Sequence, residues 1–366
     1  MGSAQTQTWL QELDEQLNVD VDWMDPAFSK RMASEFGVVP NDMTSNNIWA
    51  NVQMSHPDNK TLLETSARDL KDEGWLAVYN RVCVGMCKAN IDNIKGRVAL
   101  QINPHEAYDT QAVLQHARAY AREFERAGIP KTRYFIKIPA TGPALNAAPV
   151  LEAEGIRTLG TAVFSLAQAI ACSQAGMLYI KVRAHSDTSL WPDVEDPATQ
   201  HPNSARIWQI LETYRRLYKE TGKEQPLLKN ARLSILSPKE AMASGEMGCH
   251  SATISHTCIE ALAKLTYDGT QQPGVGAPKP LHVYQTPGPT PERLKQLMRV
   301  DPLASAAWDG KLASTDVDYL ADSGAELEKA IESDAISVAR LEDALKLFQD
   351  AIDESKGKIE EVLKEL

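Results

Sequence analysis

A lysine set inside an apolar run is the first chemical signal in this chain. In "YFIKIPATGPALN", residues 134–146, Lys137 alternates with Phe135 and Pro139, so on a strand the three share a face opposite Tyr134, Ile136 and Ile138. A run apolar on both faces is expected to be buried on both, as strands of a parallel sheet are. A lysine in such a place either snorkels or pairs with a carboxylate. Alternatively it is desolvated, loses its proton more easily, and attacks a carbonyl carbon as a neutral amine. Imine chemistry of that kind also needs a carboxylate to move protons and hydroxyl or amide groups to hold water.

The elements that must position such groups read as alternating strands and helices. Strand-like runs fall at 18–24, 39–45, 96–103, 133–140, 156–163, 177–184, 231–236 and 251–255. Helix-like stretches lie between them, such as 110–128, 144–155 and 165–176, each closed by a glycine. Eight strands alternating with helices predict a (β/α)8 TIM barrel. An open doubly wound sheet is the alternative, but no G-x-G-x-x-G follows the first strand. In a barrel the C-terminal strand ends share one mouth. The polar residues there are Asp22, Asp25, Thr44, Ser45, Asn46, Gln101, Asn103, Lys137, Thr161, Lys181, Arg183 and Ser234. Lys181 and Arg183 fall on one face of their strand, which suits either a substrate anion or a structural ion pair near the barrel floor.

These residues resemble the transaldolase family, whose barrels form a Schiff base through a lysine on strand four. The resemblance runs from about Val21 to Ile259, with an echo in "ELEKAIESDAISVARLEDAL". Its most specific stretches are "IKIPAT" and "EAEGIRTLGTAVFSLAQAIACSQAG", which look like the fructose-6-phosphate aldolase subgroup. The resemblance implies that Lys137 is the nucleophile, that Asp22 moves protons, and that Thr161 holds the catalytic water. It places Gln101 where transaldolases proper carry glutamate and the aldolase subgroup glutamine. It puts Asn46, in "TSN", and Ser234 on the substrate.

Departures from the family pattern concern the phosphate. Asn47 replaces the proline expected after "TSN". Strand six reads "IKVRAHSD", with Ser186 where the phosphate-binding arginine belongs and Arg183 at the position of the subgroup's water-binding tyrosine. Leu236 stands at the cationic position after the strand-seven serine. Serine and leucine cannot replace a guanidinium fork. The resemblance therefore implies Lys137 chemistry on a non-phosphorylated carbonyl compound, with Lys181 and Arg183 meeting a substrate carboxylate. It requires no metal or organic cofactor. An ordinary pentose-phosphate transaldolase and a catalytically inactive binding barrel are the other readings.

Composition sets outer bounds. The 366 residues carry a net charge of −11, which argues against nucleic acid as a partner. Five cysteines in a chain of this length read as reduced thiols of a cytoplasmic protein. The polar, acidic N-terminus is not a signal or transit peptide. Its match to the acylation pattern, Gly2 with Thr6, is short enough to arise by chance. The most apolar region, 159–180, is interrupted by Ser165, Gln168, Ser173 and Gln174, so no membrane span is expected. "GCHSATISHTC", 248–258, fits no standard zinc spacing, and "CVGMC", 83–87, is not a redox motif.

Residues 1–266 are expected to form the barrel. The loop 185–203, with Trp191 and three prolines, is expected to cover its mouth. Residues 267–366 are expected to wrap the surface and end in helices. The tail "DALKLFQDAIDESKGKIEEVLKEL" carries an apolar stripe suited to a second copy, which predicts a homodimer.

Overall fold

The computed structural model describes residues 7–183, 194–232, 237–269 and 276–366, with the backbone alone at 183 and 230–232. Seven strands form one all-parallel sheet: β1 (Asn18–Val21), β2 (Val98–Gln101), β3 (Tyr134–Pro139), β4 (Thr158–Val163), β5 (Tyr179–Arg183), β6 (Leu227–Arg232) and β7 (Ser251–Ile254). They neighbour one another in the order β1-β7-β6-β5-β4-β3-β2. Met43 links the two edges, with parallel bridges to Val21 on β1 and Val98 on β2. Its neighbour Thr44 donates its N–H to Val21 O at 2.9 Å, and Ala99 N–H donates to Met43 O at 3.1 Å. The sheet thus curls until its edges meet through one residue, in the manner of a TIM-type barrel.

The full strand expected over 39–45 is therefore corrected to a single bridged residue. Backbone bonds continue on either side of Met43, such as Asn41 N–H to Val19 O at 2.7 Å and Met43 N–H to Arg97 O at 3.0 Å, and two side chains supply the rest. Asp42 Oδ1 accepts the Arg97 N–H at 2.7 Å, and Asp20 Oδ1 accepts the Asp42 N–H at 3.1 Å. Pro40 has no N–H to offer. The strand expected over 231–236 is displaced as well: β6 starts at Leu227, and 233–236 lie outside the described residues. "LLKNAR" does not read as a buried strand because Lys229, Asn230 and Arg232 make half of it polar. The helix expected over 144–155 is two, Gly142–Leu145 and Ala148–Ala153, with Pro149 opening the second.

The face assignment around Lys137 holds. Phe135 packs with Ala99, Leu159 and Tyr179 in a small interior cluster, while Ile136 and Ile138 join the larger core under the helices. Beside that cluster lies a buried charge group. Lys229 Nζ is 2.8 Å from both Asp20 Oδ2 and Asp42 Oδ2, 3.3 Å from Ser251 Oγ and 4.1 Å from the Tyr179 ring centroid. Burial alone would lower the lysine's pKa, but the two aspartates more than reverse it and hold it above its ordinary value. Burial pushes the Asp20 carboxyl up to about 6, against the pull of Lys229.

Two helices that back the mouth end as their glycines predict. Thr110–Arg126 is followed by Gly128 at φ 71°, and Leu166–Gln174 by Gly176 at φ 69°. The C-terminal helix Ala335–Lys364 is tied to the helix Asn47–Met54 through Asn51, which donates to Glu354 at 2.6 Å and accepts from Lys358 at 2.7 Å. Its Leu341, Leu345, Phe348, Ile352 and Ile359 are buried within the chain. The stripe that suggested a second copy is thus covered by the chain itself, and it no longer argues for a dimer.

His116, which is buried, and His250, which is half-buried, are both held in the neutral form. His116 Nδ1 accepts the Asn103 N–H at 2.9 Å, and His250 Nδ1 accepts the Leu228 N–H at 2.7 Å. Burial pushes both pKa values down to about 3. Their ordinary value is about 6.5, so this stability is complete above pH 6.5 and is lost as the pH falls toward 3. Denaturant melts at pH 7 and pH 5 should show the double variant His116→Asn/His250→Asn losing less stability on acidification than the wild type. Asp20 and Glu106, both raised to about 6, act in the opposite direction but remain in both proteins. Equal acid sensitivity of the two proteins would contradict the assignment.

Candidate active site

Asp22 stands two residues beyond Asp20 on the same face, its N–H bonded to Ile254 O at 2.9 Å. Its Oδ1 accepts from the Thr44 hydroxyl at 2.8 Å and lies 3.7 Å from Lys181 Nζ. The next residue along from Thr44 serves the other group. Ser45 O accepts from Lys137 Nζ at 2.6 Å, while the Ser45 hydroxyl donates to Ala99 O at 2.7 Å. Consecutive residues of one turn therefore orient the carboxylate of Asp22 and the amine of Lys137. Lys137 is 1% exposed and Lys181 4%.

Gln101 pairs in register with Lys137 across β2 and β3. It is buried, and neither its Oε1 nor its Nε2 has a hydrogen-bond partner among the described residues. An amide removed from water without a partner is costly, so a water or substrate group is its natural complement. Replacing Gln101 with leucine removes both orphaned atoms. The melting temperature should hold or rise, while turnover falls about tenfold or more because the water is no longer held. A matching loss of stability would show that the amide is structural.

Thr161 is buried opposite Pro139 on the neighbouring strand. It precedes Ala162, whose φ of 56° is left-handed, where the register of β4 against β5 slips. A non-glycine residue there is strained and must be held by its surroundings. Gln168 does so, donating to Ala140 O at 2.9 Å and Ala162 O at 3.1 Å. The bulge re-aims the strand at the threonine.

Asn46 caps the helix Asn47–Met54 and accepts the Trp49 N–H at 3.1 Å. Among the mouth residues, Asp25 caps the helix Pro26–Glu35 and Asn103 the short helical turn Pro104–Glu106, accepting from Ala27 N–H and His105 N–H respectively. Arg183 ends β5 and its Cα partner is Arg232 on β6. Ser234, Ser186 and Leu236 lie outside the described residues, as do 185–193 of the loop expected to cover the mouth, including Trp191. The ion pair of Lys181 is with Asp22 near the strand ends. Lys229, the register partner of Lys181 on β6, forms a further buried charge group with Asp20 and Asp42.

Sequence reasoning missed Lys229, Asp20 and Asp42, since "LLKNAR" lacks the apolar context that marks the lysine of "YFIKIP". It also missed an aromatic group beside the site. The Trp23 and Trp49 rings lie 5.1 Å apart nearly at right angles, and the His256 ring is 4.4 Å from Trp23. Trp23 follows Asp22 directly and Trp49 is held by Asn46, adjacencies that could have pointed to it. The cysteines of the two Cys-bearing motifs are buried free thiols. Burial pushes Cys83, Cys249 and Cys258 up to about 12, away from nucleophilic use at neutral pH.

Among the described residues no helix is long and apolar enough to cross a membrane. Among solved structures, an IMP dehydrogenase/GMP reductase-like protein from Corynebacterium glutamicum ATCC 13032 Kitasato aligns with 70% of each chain at 11% identity. Its TM-score of 0.40 is too low to carry any argument. A curated transaldolase from Prochlorococcus marinus (strain MIT 9211) is 30% identical over 176 residues, 43% of this chain and 52% of the relative. The chain thus spans about half the length of that relative. The transaldolase/fructose-6-phosphate aldolase profile matches residues 21–359, a stretch that holds Asp22, Gln101, Lys137 and Thr161 and runs far into the C-terminal helix, and the chain belongs to that family.

Proposed function

We propose that this protein makes or breaks a carbon–carbon bond through an imine at Lys137, as a transaldolase- or aldolase-like enzyme acting on a non-phosphorylated carbonyl substrate. The observation that carries the reading is the buried Lys137 amine, oriented by Ser45 O and level with the orphaned Gln101 amide, in a chain of this family. The Nζ lone pair attacks the carbonyl carbon and forms the C–N bond. Proton transfers through Asp22 release the carbonyl oxygen as water and leave an iminium. In the cleavage direction, deprotonation of the substrate hydroxyl forms the aldehyde C=O. The neighbouring C–C bond then breaks, and its electron pair flows into the iminium to give an enamine. The enamine either adds to an acceptor aldehyde or is protonated, after which water held by Gln101 and Thr161 hydrolyses the imine and frees the lysine. Thr44 and Lys181 keep the Asp22 carboxylate in place throughout, and Asn46 and Ser234 bind donor oxygens.

Serine at 186 and leucine at 236 support the non-phosphorylated substrate. A phosphosugar has one observation in its favour: Arg183 and Arg232 are register partners in the backbone of adjacent strands. The test is turnover of fructose 6-phosphate with erythrose 4-phosphate, run beside unphosphorylated ketones and keto acids. The first reading expects the unphosphorylated compounds to be turned over better, because two lost charge-assisted bonds weaken phosphosugar recognition by about a hundredfold or more. Efficient transfer between the phosphosugars, lost on Arg183→Ala and Arg232→Ala, would replace it with the second.

A further inference from the structure

A separate cavity of about 770 Å³ opens on the outside of the barrel, between the helix Thr110–Arg126, the turn that follows it and the start of β3. That size falls in the range of small-molecule sites. Its inner wall is apolar, formed by Ala121, Ile129, Pro130, Ile156 and the ring of Tyr134, which stacks on Phe124 at 4.1 Å. Its outer edge is cationic. Arg118 is engaged by Glu154, and Lys131 donates to Glu154 O at 2.7 Å. Arg122 is exposed and has no hydrogen bond or ion pair among the described residues. Glu125 is the carboxylate that shares the cavity.

Tyr134 supplies a second, independent signal. It is 1% exposed, and its hydroxyl is buried with no hydrogen-bond partner among the described residues. A buried hydroxyl is normally paired, and an orphaned one calls for an explanation. Burial, and then Glu125, push the phenol up to about 12, so it is a neutral donor at physiological pH. Tyr134 lies three residues before Lys137 on β3, and its side chain faces the helices whereas that of Lys137 faces the interior. The cavity is thus distinct from the candidate active site.

We propose that this cavity binds a small aromatic acid. Its anion meets Arg122 and Lys131, its ring lies over Ile129, Pro130 and Ile156, and a hydroxyl at its far end pairs with Tyr134. The inference does not depend on the Lys137 chemistry. Calorimetric titration of the full chain with 4-hydroxybenzoate, benzoate and phenol tests it. We expect 4-hydroxybenzoate to bind most tightly, and to bind equally well to the Lys137→Ala variant. Tyr134→Phe should weaken 4-hydroxybenzoate by up to about tenfold, the worth of one hydrogen bond, and leave benzoate unchanged. Arg122→Glu should weaken both acids and leave phenol unchanged. The melting temperatures of both variants should match the wild type. Three results would overturn the proposal: no heat with millimolar 4-hydroxybenzoate, binding lost with Lys137→Ala, or affinities indifferent to both cavity substitutions.

Discussion

Lys137→Met is expected to lower turnover by roughly a thousandfold or more while shifting the melting temperature by only a few degrees. The two effects separate because the side chain lies inside the barrel yet contributes little that methionine cannot. Both fill similar volume against the interior face that carries Phe135 and Pro139. What methionine cannot supply is the amine, and without it no covalent bond to the substrate forms. The cost in the fold is the Ser45 carbonyl, which loses the donor now 2.6 Å away. That amounts to about 1–3 kcal/mol, offset by no longer burying a polar head. Steady-state kinetics beside a thermal melt reads both. A large fall in melting temperature with turnover retained would make Lys137 a structural lysine.

The second large effect is expected at the buried charge group, and it runs the other way. Lys229→Met leaves Asp20 and Asp42 facing each other in a site where Lys229 and both carboxylates have almost no solvent exposure. Removing one partner of a buried charge network costs about 3–5 kcal/mol, because the remaining charges stay desolvated and unpaired. The triple variant Lys229→Met/Asp20→Asn/Asp42→Asn should recover much of that loss. The pH dependence follows from Asp20, whose folded pKa of about 6 lies above its ordinary 3.8. A carboxyl raised on folding adds stability as it takes up its proton and withdraws it as the pH rises through 6. Without the lysine the Asp20 carboxyl is pushed further up, so the stability gap between Lys229→Met and wild type should narrow between pH 7 and pH 5. A gap of less than about 1 kcal/mol at pH 7 would mean the network carries little of the fold.

Local rules were enough wherever backbone preference and burial agreed. β3 lies within a residue of where its alternation places it, and the helices that close on Gly128 and Gly176 stop there because the next residue must be left-handed. Lys137 could be singled out because it is a lysine in an apolar strand context, and Gln101 and Asp22 because the family resemblance falls on them. What stayed hidden depends on partners far away in the chain. The segment around Met43 bridges β1 and β2 partly through backbone bonds and partly through the side chains of Asp20 and Asp42, which accept the N–H groups of Asp42 and Arg97. Lys229 is buried because aspartates about 190 and 210 residues earlier meet it, which no window on "LLKNAR" displays. The left-handed Ala162 gives no signal either, since alanine has no preference for that conformation and Gln168 pins it from the following helix. The C-terminal stripe was visible, but its partner within the same chain was not.

Borohydride trapping of the full chain with a panel of reactive ketones and keto acids, followed by peptide mass mapping, tests the central claim most directly. The chain holds two other lysines inside the barrel, Lys181 and Lys229, so the position of the adduct is informative in itself. We expect one reduced adduct per chain, on the peptide that contains Lys137, and none in the Lys137→Met variant. An adduct on Lys181 or Lys229 with Lys137 unmodified, or no adduct with any carbonyl compound in the panel, would contradict the imine mechanism.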